Sequence, residues 1–263
     1  MRRSGPGRQA IDRLARAGYI ALGFVNIVVA WLALQIAFGR SKHQANPKGA
    51  LADVAGHPLG KVLLCLLALG FLGYAAWRFT EAAFGKAVEG KQVWPRLLSA
   101  ALGIFATALA VTTVALLLGS GGKSQSGQQV TLTARVMRHT FGRGLVGIAG
   151  LVVIGIGVGM IVQGVRRAFE KQLELGQTSA ATHRTVVTLG LVGNVARGVV
   201  FCIAGWLVVQ AAITFDAKKS TGLDGALRTV AHQPYGQVLL IGIALGLLAF
   251  GLYELAAARW AKT

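Results

Sequence analysis

Cysteine and acidic side chains are the rarest components of this 263-residue sequence. The two cysteines, Cys65 and Cys202, both lie inside apolar runs, which excludes a disulfide framework and a thiolate metal site. Nine Asp and Glu stand against 27 Lys and Arg, and only 14% of residues are charged, too few to clothe an ordinary soluble domain. Catalytic signatures of fixed spacing are missing as well. There is no HExxH, no CxxC, no glycine-rich phosphate loop ending in Lys-Ser/Thr and no Gly-x-Ser-x-Gly. No apolar run alternates with period two, which excludes barrel strands.

What the chain has instead is apolar length. Hydrophobic residues make up 54%, glycine occurs 36 times, and the mean hydropathy is +0.59, the composition of an integral membrane protein. A bilayer core needs roughly 20 apolar residues in a helix, and six stretches supply them: about 17–38, 62–84, 97–118, 144–165, 187–213 and 238–257. Backbone polar groups must be paired inside lipid, so all six are expected to be α-helices. The first run is too long for a signal-peptide core and is expected to be retained. The net charge of +18 sits mostly between these runs, where it reads as contact with anionic membrane lipids and not with nucleic acid. Lys and Arg number 15 on the side of the two termini, Arg78 being counted there with the loop after the second run, and 11 on the other. That bias places the N- and C-termini, with a short basic N-terminus 1–16, in the cytoplasm of a multi-pass protein of the cell (plasma) membrane.

An internal repeat organises the whole chain. Residues 49–74 and 225–250 align without a gap at 14 of 26 positions, and 14–37 and 189–212 share nine more, including Gly18/Gly193, Gly23/Gly198, Trp31/Trp206 and Gln35/Gln210. A third, decayed copy places Gly103 with Gly23 and Gly198, and carries the pattern Thr133-Ala134-Arg135-Val136 followed by Phe141-Gly142-Arg143. The repeat units are about 13–85, 95–167 and 187–260 of a single transmembrane domain 1–263. Each copy is a span, an intervening segment and a second span. Two crossings return the chain to its starting side, so the copies are parallel and a pseudo-three-fold bundle about the membrane normal is expected. In the intervening segments Ala50-Leu51…Val54-Ala55 and Ala226-Leu227…Val230-Ala231 mark one face of a short interfacial helix, stopped by Pro58 and Pro234 before the turn at Gly60 and Gly236. The threefold Gly-Ala-Leu…Pro-x-Gly hairpin resembles a bacterial membrane-protein family of unknown function built from three copies of a two-helix unit. That resemblance covers nearly the whole chain and implies neither an activity nor catalytic residues.

Few polar constellations remain once packing is accounted for. Gly155/Gly159 and Gly242/Gly246 are GxxxG pairs expected to pack helices, and Asn26, Asn194 and Gln163 are expected to hydrogen-bond between helices. Arg197 lies deep in a span, and Glu254 and Glu81 fall near the span ends on the terminus side. These residues, with Asn194, form a candidate polar cavity built on an Arg197–Glu254 contact. Trp31, Gln35, Trp206 and Gln210 form a candidate ligand site at the opposite interface. His57, His139 and His232 are weak candidates for a metal, lacking a carboxylate or thiolate at fixed spacing. Together these readings predict a non-enzyme without cofactor, a structural or accessory membrane protein binding lipid, a partner membrane complex or a second copy of itself. The alternative is a small transporter or channel with an asymmetric polar pathway, asymmetric because Asn26 aligns with Phe201 and Asn194 with Tyr19.

Overall fold

A computed structural model describes residues 6–40, 43–84, 93–119, 124–139, 141–172 and 179–260. All regular structure among them is helical. In chain order the helices are α1 (Pro6–Ala37), α2 (Pro47–Ala55), α3 (Gly60–Phe84), α4 (Val93–Leu117), α5 (Gln125–Met137), α6 (Gly142–Val165), α7 (Ala180–Thr214), α8 (Gly222–Ala231) and α9 (Gly236–Trp260). Six are long and apolar enough to cross a membrane: α1, α3, α4, α6, α7 and α9. The short α2, α5 and α8 fall between the two spans of each hairpin, where the repeat puts them.

Two elements differ from the hydropathy reading. Residues 6–16, assigned by charge to a basic tail, are the first turns of α1. α7 begins at Ala180 rather than near 187, because Ser179 caps it: its Oγ accepts the Thr182 N–H at 3.2 Å. A polar, charged turn in front of a span is invisible to hydropathy but is ordinary helix to the backbone.

The return turns are the same in all three copies. His57, His139 and Gln233 donate their N–H to the carbonyls of Val54, Val136 and Val230, each at 3.1 Å. Gly60, Gly142 and Gly236 donate to the carbonyls of His57, His139 and Gln233, each at 2.8 Å. A Cβ on those glycines would lie 1.8 to 2.3 Å from the same valine carbonyls, so no other residue fits. The middle copy, which lacks the proline, keeps this geometry because the glycine and the carbonyl, not the proline, define it.

By its contacts the chain divides into two compact units, residues 1–25, 51–121 and 254–263, and residues 26–50 and 122–253. The first packs α3 on α4 and the start of α1 on α3. Gly18 lies against the Tyr74 ring and Gly70 against Ala21. In the second unit the repeat-equivalent pairs recur, Gly193 against Phe250 and Gly246 against Ala196. The first and third hairpins therefore repeat their packing as well as their sequence.

The second unit is dominated by the antiparallel α6–α7 pair. Gly150, Gly157 and Gly164 come round once every seven residues on α6, and ideal Cβ atoms there would approach the carbonyls of Gly205, Gly198 and Leu191 to 2.9, 2.7 and 3.1 Å. Gly198 and Gly205 reciprocate toward the Gly157 and Gly150 carbonyls at 2.6 and 2.8 Å. Lipid supplies no hydrophobic force between helices, so direct backbone approach holds this seam. The GxxxG pair Gly155/Gly159 is not the contact: both glycines are open, as is Gly242. Below α6, Phe169 closes the pair by filling the hollow over Gly190 and meeting Tyr253 edge-on at 5.2 Å, so part of the stretch after α6 is docked.

The seam makes a quantitative expectation. Gly157→Val places two methyls against Gly198 and Cys202, and overpacking of this kind costs about 1–3 kcal/mol. Thermal unfolding in detergent should show that loss for Gly157→Val and almost none for Gly155→Val. Equal effects would show that the seam does not carry the pair.

Candidate functional site

Helix first turns leave N–H groups unpaired, and buried ones need acceptors from elsewhere. In the second unit the three intervening segments supply them to one another. Gln44, Ser126 and Ser220 stand at equivalent positions, sixteen residues before each return glycine. The Gln44 Oε1 accepts from the Ser126 N–H at 3.3 Å and from the Asn46 Nδ2 at 3.0 Å. Ser126 Oγ donates to the Thr221 carbonyl at 2.9 Å, Ala45 N–H donates to Asp224 Oδ1 at 2.9 Å, and Lys48 N–H donates to Gln125 Oε1 at 3.4 Å. Each copy is thereby bonded to both others. Ala45, Asn46, Ser126, Ser220 and Asp224 are all buried in this knot.

Asp224 is its one buried carboxylate. It accepts at Oδ1 from the chain of the first copy and at Oδ2 from Arg228 Nε at 2.9 Å, so both oxygens of the charged form are satisfied. The repeat puts Lys48 at the same position in the first copy, where the charge is reversed and half-buried. Gln44, Asn46 and Asp224 were not singled out from sequence. The available signal was an acidic residue, one of nine, at a position that the repeat makes part of a buried turn.

The first unit holds a second polar cluster. Arg78, counted as a loop charge from sequence, lies within α3 with its side chain only 11% exposed. Its Nε and Nη2 donate to the Tyr74 hydroxyl at 2.9 and 2.7 Å, and its Nη1 to Glu81 Oε2 at 2.8 Å. Ser99 Oγ donates to the same Glu81 oxygen at 3.2 Å. The guanidinium lies 4.3 Å from the Trp77 ring centroid, and Tyr19, Tyr74 and Trp77 pack ring to ring around it. Arginine tolerates such burial because its flat, weakly hydrated face stacks on aromatics while its edge spends its donors.

Of the sequence-selected residues, Glu81 belongs to this Arg78 cluster, and Glu254 is buried on α9 in the same unit. Arg197 lies on α7 in the second unit, half-buried over the Phe250 ring at 4.5 Å. Asn194 is buried there, but its Nδ2 donates to the Gly190 carbonyl of its own helix at 2.7 Å, so this amide links no helices. Gln163 is exposed. Trp31 and Trp206 are 57% and 53% exposed, with Gln35 and Gln210 half-buried a turn away. His57, His139 and His232 are exposed at the return turns, with His57 Nδ1 2.8 Å from the Asp53 carbonyl. Among the described residues no three His, Cys, Asp or Glu side chains gather into a metal-holding group.

Two further arginines missed as structural act as caps. Arg143 Nε and Nη2 donate to the Ala212 and Ile213 carbonyls at the end of α7, both at 3.2 Å, and Arg96 donates to the Ala82 and Ala83 carbonyls at the end of α3. Cations suit helix C-termini, so part of the basic excess is spent on the fold. Shallow grooves also lie on the described surface, one in each unit. One is lined by Phe79, Ile104, Thr107, Ala108, Val111 and Thr112, the other by Ala181, Arg184, Thr185, Thr188 and Leu189.

The family described as Domain of Unknown Function (DUF1206) matches this chain three times, over residues 17–85, 99–167 and 192–261. The chain is also similar to Uncharacterized protein YxxB of Bacillus subtilis (strain 168), 32% identical over 250 residues that cover 93% of this chain and 89% of the relative. No solved structure matches.

The knot is testable at Asp224. Asp224→Ala leaves the buried Ala45 N–H without its acceptor, which costs about 1–3 kcal/mol, whereas Asp224→Asn keeps an acceptor and should lose less. Thermal unfolding in detergent should rank wild type above Asn above Ala. An Ala variant as stable as wild type would show that these bonds do not hold the segments together.

Proposed function

The chain belongs to the DUF1206 family, and from that premise we propose that it is a structural or accessory protein of the bacterial cell membrane that binds anionic lipid, alone or together with a partner membrane complex or a second copy of itself. The observation that supports this reading is the state of its charges. Buried polar groups are engaged with one another in the knot and around Arg78, which leaves them no evident part in a reaction. Arg13, Arg16, Arg166, Arg167, Arg184 and Arg259, by contrast, are exposed at or near the ends of apolar spans. Cationic side chains beside apolar spans attract acidic head groups, by about 1 kcal/mol each near the surface. The rival reading as a transporter or channel has less support, since the segments between the two spans of each hairpin are bonded to one another at buried positions.

Purification in mild detergent followed by mass spectrometry of co-purifying lipids and proteins tests this reading. Anionic phospholipid should be enriched over its share in the source membrane. A lipid complement matching the bulk membrane, with no stoichiometric protein, would overturn it.

The same reading puts both termini in the cytoplasm. A cysteine at exposed Ser124 should then react with an impermeant thiol reagent added outside intact cells, and one at exposed Ser179 should not. The reverse pattern would invert the orientation.

A further inference from the structure

The groove along the start of α7 differs from the one on α4 in carrying charge. It is lined by Ala181, Arg184, Thr185, Thr188 and Leu189, with a volume of about 510 Å³. Its hydroxyls are occupied, Thr185 Oγ1 donating to the Ala181 carbonyl at 3.0 Å and Thr188 Oγ1 to the Arg184 carbonyl at 2.9 Å. Arginine therefore supplies the free donors.

The glycine seam brings more of them. Gly164 faces the Leu191 carbonyl, and in an antiparallel pair the next residues of one helix meet the preceding residues of the other. Arg166 and Arg167 directly follow α6, two and three residues beyond Gly164, and Leu189 of the groove lies two residues before Leu191, so both belong to the same end of the pair. All three guanidinium groups are on exposed residues, and none has an ion-pair partner among the described residues. Glu170, the nearest described carboxylate in sequence, has its Oε1 buried without a hydrogen-bond partner. Further along the same two helices, on the bilayer side of the groove, Val165, Val162 and Val192 are apolar side chains at 63%, 40% and 42% exposure.

We propose that this end of the α6–α7 pair is a binding site for an anionic glycerophospholipid, its phosphate held by Arg184, Arg166 and Arg167 and its acyl chains lying along Leu189, Val192 and Val165. The site rests on the lipid-binding reading above and gives it an address. Charge complementarity selects an acidic head group, and the apolar continuation selects a lipid over a free phosphate ion.

Binding of dioleoylphosphatidylglycerol, dioleoylphosphatidylcholine and inorganic phosphate to the full-length detergent-purified protein, followed by native mass spectrometry, tests the proposal. Wild type should prefer phosphatidylglycerol to phosphatidylcholine. Replacing Arg166, Arg167 and Arg184 together by Gln should weaken phosphatidylglycerol about a hundredfold, roughly fivefold per charge, with phosphatidylcholine unchanged. Replacing exposed Arg135 and Arg138, at the C-terminal end of α5, by Gln should change neither. Thr188→Glu, which adds a negative charge at an exposed groove position, should weaken phosphatidylglycerol in the same sense and serves if the triple variant does not fold. Undiminished phosphatidylglycerol binding in Thr188→Glu or the triple variant overturns this site while leaving lipid binding elsewhere. No preference in wild type defeats both readings. Displacement of phosphatidylglycerol by equimolar inorganic phosphate assigns the arginines to a free anion and also overturns the site.

Discussion

Inside a bilayer the solvent is as apolar as the protein, so helices gain nothing by hiding leucine from it. Everything in this structure follows from that constraint. Cohesion has to come from backbone-to-backbone approach or from polar groups that lipid cannot satisfy, and the molecule uses the two in different places. Glycines draw α6 onto α7, seat the Tyr74 ring on α1 at Gly18, and bring the α9 backbone at Phe250 onto α7 at Gly193. Where helices end and N–H groups come free, side-chain oxygens of neighbouring copies take over.

Sequence revealed most where one residue and one carbonyl suffice to define a feature. The return turns were legible because Gly60, Gly142 and Gly236 each need the same empty space over a valine carbonyl, a requirement that survives the decay of the middle copy. The packing faces were not legible from motif spacing. GxxxG states that two glycines share a face but not which neighbour that face meets, and Gly155/Gly159 meets none. The seam that exists, through Gly150, Gly157 and Gly164, has a period of seven and threads between the motif glycines. Arg78 was misplaced for a related reason: a charge near the end of an apolar run looks like surface until Tyr74, Trp77 and Glu81, one turn on either side, are seen to enclose it.

Divergence between copies is concentrated in charge. Lys48 and Asp224 occupy one repeat position, and so do Arg78 and Glu254. Apolar positions tolerate drift as long as volume is kept, whereas a buried charge demands a partner, so each such replacement ties a particular copy to particular neighbours. Asp224 illustrates this, accepting from the first copy through Ala45 and from its own helix through Arg228. Three originally interchangeable hairpins thereby acquire fixed addresses. The candidate polar residues were visible individually in the sequence, but their partners depend on turns that hydropathy cannot resolve.

A row of glycines repeating every seventh residue is also a rack with identical teeth. If α6 slid along α7 by one repeat, about 10 Å, a glycine would still find a small residue's carbonyl opposite at part of the seam. The seam alone therefore fixes the separation of the two helices far better than their longitudinal offset. The offset is set by two stops at opposite ends: Arg143, hooked over the last carbonyls of α7, and Phe169, wedged into the hollow at Gly190. Neither residue belongs to the seam, and each blocks travel in one direction, so the pair works like a bolt with a catch at both ends.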